Sequence, residues 1–269
     1  MELWELRKQP HLSSSSINDY CECGLLYKFG RIDKIPIEGK SDALIFGTVI
    51  HLVLAEYYEG KMVGNKLSIK EVHESFEEHW RKHAEDNDDI QYTKDNDFKS
   101  ILLMGKELLT TWHNKLPDDD FQVIGIEEAF SFHLPGISTP LIGAMDLIEE
   151  DESGCLIITD FKTSSKSYSA SEIDQNTQLT LYQLAAKANG FSDREILLRF
   201  DTLIKTKIPK FEQYWTSRDD IAEKRLIKKI TQAWDGISKG AFIPNDGSWK
   251  CKNCFYRQAC DEWFMEEAA

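Results

Sequence analysis

The chain has 269 residues, 41% of them hydrophobic and 29% charged, a globular balance that can bury a large core as one domain or two modest ones. No apolar run approaches the length of a membrane span, which argues against a helical membrane protein, and no membrane partner is expected. The net charge of −14 argues against broad attraction to nucleic acid or an anionic bilayer, so a polyanion would have to meet a locally basic surface.

The opening "MELWELRKQPHLSSSS" lacks the apolar centre of a signal peptide, so an intracellular, cytoplasmic protein is expected. Six cysteines in such a chain point to metal or redox chemistry rather than a disulfide framework. "SINDYCECGLLYKFGRI" has near-helical apolar spacing, with Ser14, Ser15 or Ser16 able to cap it. "DALIFGTVIHLVLAEYYEGK" reads as a mostly buried helix starting near Asp42. "SIKEVHESFEEHWRKHAED" and "DFKSILLMGKELLTTWHNKL" read as two more helices, separated by an acidic turn. The character changes at residue 121. "FQVIGIEEAFSFHL", "TPLIGAMDLIEED" and "CLIITDFKT" are short and β-rich, and Pro, Gly and "DESG" break them into three consecutive antiparallel strands. "ASEIDQNTQLTLYQLAAKANG" returns to helical spacing and ends at a glycine suited to a C-cap. Two further strands, "EILLRFDTLI" and "KFEQYWT", precede the helix "SRDDIAEKRLIKKITQAWDGIS". No repeat or clean linker appears. A single domain over 1–269 is expected, with an N-terminal segment (1–50), a helical region (51–120), a central core (121–240) and a cysteine-bearing tail (241–269).

Asp146 falls in the second strand and Asp160 at the end of the third, so a hairpin would set two carboxylates side by side. Such a pair repels unless a cation sits between them, and Mg²⁺ or Mn²⁺ favours oxygen ligands of this kind. Strand alternation puts Lys162 on the same face as Asp160. An ammonium beside a divalent metal suits phosphodiester hydrolysis, where charge builds on the phosphate. Asp-x-Lys by itself also describes a salt bridge at a strand end.

Gly143 to Asp146, then Asp160 to Thr163, then Gln178 and Tyr182 one helical turn apart, occur in that order. This series resembles the RecB-family branch of the PD-(D/E)xK nuclease superfamily. The resemblance implies an α/β core with a mixed central sheet flanked by helices, and a Mg²⁺- or Mn²⁺-dependent deoxyribonuclease. It also implies that His51, Asp146, Asp160 and the Phe161 backbone carbonyl hold the metal. Lys162 would then act on the attacking water and the phosphoryl group, while Gln178 and Tyr182 would position the substrate backbone. Glu127, which directly follows "VIGI", fits the family's upstream glutamate better than Glu128. Met145 stands where the superfamily's name has proline.

"CKNCFYRQAC" supplies Cys251, Cys254 and Cys260, three thiolates that need a fourth, and either Cys21 or Cys23 could provide it. The arrangement resembles iron–sulfur nucleases related to RecB, including AddB and the CRISPR adaptation nucleases. Their N-terminal pattern, counted from Ser13, Ser15, Ile17 and Tyr20, selects Cys23. A [4Fe–4S] cluster on these four cysteines would join the two termini, with Zn²⁺ as the alternative. Cys155, inside a strand, reads as a core residue.

From Arg194 to Ile230 ten basic residues face six acidic ones. Lys205, Lys207 and Lys210 in this stretch, with Lys166 just beyond the strand that carries Asp160, are the candidate DNA contacts, a narrow track suited to one strand rather than to coated duplex. No phosphate-loop motif of a helicase is present. The expected function is an exonuclease favouring single-stranded DNA or DNA ends in recombination, repair or processing. A helicase, a recombinase or another recombination protein is a possible partner. The rivals are a catalytically silent DNA-binding subunit of nuclease fold and a zinc-stabilised interaction protein.

Overall fold

A computed structural model describes residues 2–93 and 95–265. Among these the α-helices are α1 (Leu3–Leu6), α2 (Ser14–Glu22), α3 (Gly24–Tyr27), α4 (Asp42–Met62), α5 (Ile69–Ala84), α6 (Phe98–Lys115), α7 (Ala170–Asp174), α8 (Thr177–Ala186), α9 (Asp220–Ser238) and α10 (Arg257–Met265), with π-helical turns at Lys28–Ile32 and Lys187–Phe191 and a 3₁₀ turn at Trp249–Asn253. The strands are β1 (Lys40–Ser41), β2 (Ile90–Gln91), β3 (Gln122–Phe132), β4 (Leu141–Glu150), β5 (Leu156–Ser164), β6 (Ile196–Ile204) and β7 (Lys210–Thr216). Five of them form one mixed sheet in the order β3-β4-β5-β6-β7, and β1 pairs with β2 separately. β4 and β5 are antiparallel, β5 and β6 parallel, and β6 and β7 antiparallel. The expected mixed α/β architecture is present, and no helix among the described residues is long and apolar enough to cross a membrane.

Two compact units make up the chain: residues 39–130 with 144–219, and residues 1–38, 131–143 and 220–269. The core of the first lies around α4. That helix is apolar nearly all round, as a helix covered on several sides must be, and it buries Phe46, Val49, Ile50, Val53 and Leu54. Its N-terminus is fixed twice: Ser41 accepts from the Leu44 amide, and buried Asp42 accepts from the Thr93 amide and hydroxyl and from Asn96. Against it stand α5 and α6, opened by caps at Ser68 and Asp97. α5 buries Val72, Phe76, Trp80 and Ala84 at helical spacing, and each large apolar side chain so buried contributes about 1.5–3 kcal/mol. Gly105 on α6 lies under the Phe76 ring, where a Cβ would stand 2.0 Å from a ring carbon. Any larger residue there would part the two helices.

β5 reads as a continuous apolar run because it is covered on both faces, with Leu156 to Phe161 all buried. The crossover from β5 to its parallel neighbour β6 carries α7 and α8, as parallel pairing requires. The sequence pattern predicts one helix here, but the chain breaks at Gln175–Asn176, where the Asn176 side chain caps α8 by accepting from the Leu179 amide. An Asn can satisfy a helix start only from outside it.

A buried charge cluster lies under α4. Arg199 contacts Glu149 at 2.9 Å and Asp201 at 2.8 Å, and Lys61 bridges Glu149 and Asp119. Burial pushes the Asp201 carboxyl up to about 6, against the pull of Arg199. The folded chain therefore holds this proton more tightly than the unfolded chain does. The resulting stability is fully present below about pH 4 and is lost as pH rises to about 6. For a carboxyl that titrates near 4 in the unfolded chain, this difference is worth on the order of 3 kcal/mol. Denaturant titrations at pH 4.5 and 7.5 should show the stability difference between the protein and Asp201→Asn changing by that order. A difference that does not change with pH would contradict it.

In the second unit, α2 is capped by Ser13, whose side chain accepts from the Ser16 amide, and not by Ser14, Ser15 or Ser16. The single helix expected from Ile17 onward is interrupted at Cys23, which is extended (φ −161°, ψ 122°) between α2 and α3. Gly24 packs against the Phe242–Ile243 backbone so closely that a Cβ would lie 2.4 Å from the Ile243 nitrogen, and its amide donates to the Ile243 carbonyl. Tyr20 donates to the Ala241 carbonyl. The N-terminal and C-terminal segments are thereby packed together around Leu25, Phe29 and Tyr256.

Candidate active site

The register Leu147↔Thr159 places Asp146 and Asp160 opposite one another when carried one residue further. Asp146 is buried and accepts from the Phe161 amide at 2.7 Å through Oδ2. α4 brings His51 to the same carboxylate, with Nδ1 3.5 Å from Oδ2, and the His51 ring also meets the Phe161 ring edge-on at 5.9 Å. Phe161 therefore stands against both side chains, by its amide to Asp146 and by its ring to His51. Burial keeps the His51 pKa below its ordinary value, which favours the neutral ring able to ligate a metal.

Glu127 reaches this group by an unusual route. Its backbone is left-handed (φ 47°) in the middle of β3, a conformation that costs a non-glycine residue about 1–2 kcal/mol. The strand's alternation inverts there: Val123 and Gly125 point inward before it, Phe130 and Phe132 after it. A local bulge of this kind re-aims side chains. One ligand atom from each of His51, Glu127 and Asp146 lies within 4.8 Å of the others. Glu127 is open to solvent on one side and walled by protein on the others, and lost hydration, then the Asp160 charge, raises its pKa.

Asp160 is fully buried. The Lys162 ammonium pairs with Asp160 Oδ2 at 2.6 Å. Lys162 donates to Gln178 Oε1 at 3.0 Å, Gln178 Nε2 donates to the Tyr182 hydroxyl at 2.8 Å, and that hydroxyl donates to Asp160 Oδ1 at 3.1 Å. The four side chains close a ring. Burial works against the Lys162 charge, but Asp160 and Asp146 outweigh it and raise the pKa, so the ammonium stays charged. The Asp146 carboxyl is raised well above its ordinary range by burial, then by Asp160 and Glu127. His51, Glu127 and Asp146 offer one nitrogen and two carboxylate oxygens close together, a donor set that fits a hard divalent cation, while Asp160 stands outside that trio, paired with Lys162 and Tyr182.

Gln178 and Tyr182 share a face of α8 and hold Lys162 and Asp160. Tyr182 is buried, with its ring edge against Phe130. Lys166 is exposed and paired with Glu172 at 3.2 Å. In the β6–β7 connection Lys205 is half-buried, its ammonium 5.0 Å from the centre of the Phe46 ring, and burial lowers its pKa. Lys207 and Lys210 are exposed. Cys23, Cys251, Cys254 and Cys260 line one cleft of the second unit. Burial, then Cys23, Asp261, Cys254 and Cys251, raise the Cys260 pKa, and a bound metal or cluster would favour the deprotonated sulfur there. Cys21 is exposed and Cys155 buried. Sequence reasoning missed the Arg199–Glu149–Asp201 cluster, although Arg and Asp two apart in an apolar strand was its signal.

The profile of the PD-(D/E)XK nuclease superfamily matches residues 11–261. The chain belongs to that superfamily. The crystal structure of a candidate exonuclease from Eubacterium rectale superposes with a TM-score of 0.57 at 12% identity, covering 91% of this chain and 88% of that one. This likeness is one of fold. The crystal structure of SSO0001 covers 80% of this chain and 97% of that one at 15% identity, with a TM-score of 0.37. No curated protein matches the chain.

Proposed function

We propose that this protein is a Mg²⁺- or Mn²⁺-dependent deoxyribonuclease of the RecB-like branch, an exonuclease acting on single-stranded DNA or DNA ends during recombination, repair or DNA processing. The observation that carries the reading is the convergence of His51, Glu127 and Asp146 beside the Asp160–Lys162 pair on a superfamily fold. His51, Asp146, Asp160 and the Phe161 carbonyl would hold the metal, with Glu127 beside them. When bound, the metal supplies Lewis-acid stabilisation and lowers the pKa of a water. Lys162, held charged and aimed by Gln178, stabilises negative charge on the phosphoryl oxygens. Tyr182 fixes the orientation of Asp160, and Phe161 and His51 fix Asp146.

On the same reading Cys23, Cys251, Cys254 and Cys260 hold a [4Fe–4S] cluster, with Zn²⁺ as the alternative occupant. The chain works as one nuclease domain in the cytoplasm, alone or with a helicase or another recombination protein. End-labelled linear single strands, linear duplex and closed circular duplex, incubated with Mg²⁺ or Mn²⁺, test the substrate. Single strands and ends should be cut faster than closed circles, and the reverse order would contradict an end-directed enzyme.

The lysine track gives a separate expectation. Lys207 and Lys210 are free to meet phosphates from the exposed hairpin, whereas Lys205 is tied to Phe46. Neutralising Lys205, Lys207 and Lys210 together should weaken DNA binding and flatten its salt dependence by up to about two units of slope for a single strand. An unchanged slope would place the DNA path elsewhere.

A further inference from the structure

The cysteine segment carries a feature that metal ligation does not need. From Trp249 to Ala259 it holds three cations, Lys250, Lys252 and Arg257, and no acid, in a protein whose net charge is −14. Its aromatic residues divide by side. Tyr256 is turned inward and packs with Leu25 and Phe29, while Trp249 and Phe255 are 82% and 69% exposed. Burial against the rest of the unit explains the first residue and not the other two.

The backbone that presents them is well fixed. Trp249 opens a single 3₁₀ turn, Trp249–Asn253, capped by Ser248. Cys251 Sγ lies 3.3 Å from the Asn245 carbonyl, and the Asn245 amide lies 3.4 Å from Cys23 Sγ. Lys250 pairs with Glu22 at 2.6 Å and Arg257 with Asp261 at 3.0 Å. These are exposed pairs, worth about 1 kcal/mol or less, that a phosphate can exchange. Lys252 is exposed.

Two exposed rings on a fixed backbone, interleaved in sequence with cations, match the chemistry of single-stranded nucleic acid, in which bases stack on aromatic faces and phosphates meet the cations. Trp, Phe and Arg are also common at protein interfaces, but lysines are not, and the two here favour a polyanion. We propose that Trp249 and Phe255 form a stacking platform for the bases of single-stranded DNA, with Lys250, Lys252 and Arg257 contacting its phosphates. The assignment deepens the nuclease reading and rests on it for the identity of the strand. The surface lies wholly in the second unit and includes none of the residues assigned to cleavage.

Anisotropy of a fluorescein-labelled oligothymidylate, and of an abasic strand of the same length, should be measured in EDTA on anaerobically purified protein and on the Trp249→Ala/Phe255→Ala variant. The variant should bind oligothymidylate about tenfold more weakly or worse and the abasic strand nearly as the parent does. With Mn²⁺ added, both proteins should hydrolyse bis(p-nitrophenyl) phosphate at the same rate. Lys252→Ala should weaken both strands and lower the salt slope by roughly 0.7. Unchanged oligothymidylate binding in the double variant overturns the platform, as does an equal loss on the abasic strand. A shift in oligomeric state with unchanged DNA affinity would assign the surface to protein contact, also overturning it. If the parent cuts no DNA or aryl diester yet loses strand binding in the double variant, the nuclease reading fails while the platform stands.

Discussion

Lys162→Ala should lower the rate of DNA cleavage by about 100- to 1000-fold, the range for removing one charge-stabilising group from a phosphoryl or acyl transition state, while DNA and metal binding survive. The geometry favours an effect on rate over one on folding. Lys162 is partly open to solvent, and its contacts are Asp160, Gln178 and the Phe200 ring face at 5.6 Å. Truncation frees Asp160 Oδ2 and Gln178 Oε1 but removes no core side chain. Gln178→Ala should give a smaller loss of the same kind, because the ammonium keeps its Asp160 partner but loses its second anchor. Single-turnover kinetics with saturating metal separate the rate from binding. A Lys162→Ala rate near that of the parent would remove the residue from the chemistry.

Replacing Cys23, Cys251, Cys254 or Cys260 by serine should destroy the bound cluster and lower the melting temperature by roughly 10 °C. A link between residues 23 and 260 closes a very long loop, and such a constraint on the unfolded chain is worth on the order of 5 kcal/mol. For a domain of this size that corresponds to a change of this order in Tm. The four thiols line one cleft, and the segments bearing them are packed at Gly24 against Phe242–Ile243. Cys21→Ser and Cys155→Ser should keep the cluster, since Cys21 is exposed, Cys155 is buried, and neither lines that cleft. Iron, zinc and sulfide analysis of anaerobically purified protein checks the assignment. About four iron atoms and four sulfides per chain are expected, and one stoichiometric zinc would replace the cluster by the alternative.

Much of this site was legible in the sequence because its elements carry strong periodic signals. The apolar run before Asp160 had to be a buried strand, and the two-residue period of a strand then put Lys162 beside it. Gln178 and Tyr182 shared a face by their four-residue spacing. The left-handed backbone at Glu127 was not legible, because no local rule distinguishes Glu127 from Glu128 in "GIEEAF". Only the strand's inverted alternation shows where the chain turns. The hydrogen-bond partners of Gln178 and Tyr182 were hidden for a similar reason. Spacing fixes a face but not what lies across from it, and here β5 lies across, so their polar groups meet Lys162 and Asp160. The break at Cys23 overrode a helical pattern on both sides, through the close contact of Gly24 with a segment more than two hundred residues away.

The measurement that bears most directly on the central claim is cleavage of linear single-stranded DNA as a function of added Mn²⁺ or Mg²⁺, for the parent protein and for Asp146→Asn and Asp160→Asn. Asp160 is fully buried and Asp146 nearly so, and both substitutions keep side-chain volume, so both variants should remain folded by circular dichroism. The account predicts no cleavage in EDTA, saturable activity as metal is added, and loss of that activity in both variants. Cleavage by the parent in EDTA, or parent-like metal-dependent cleavage by either folded variant, would contradict it.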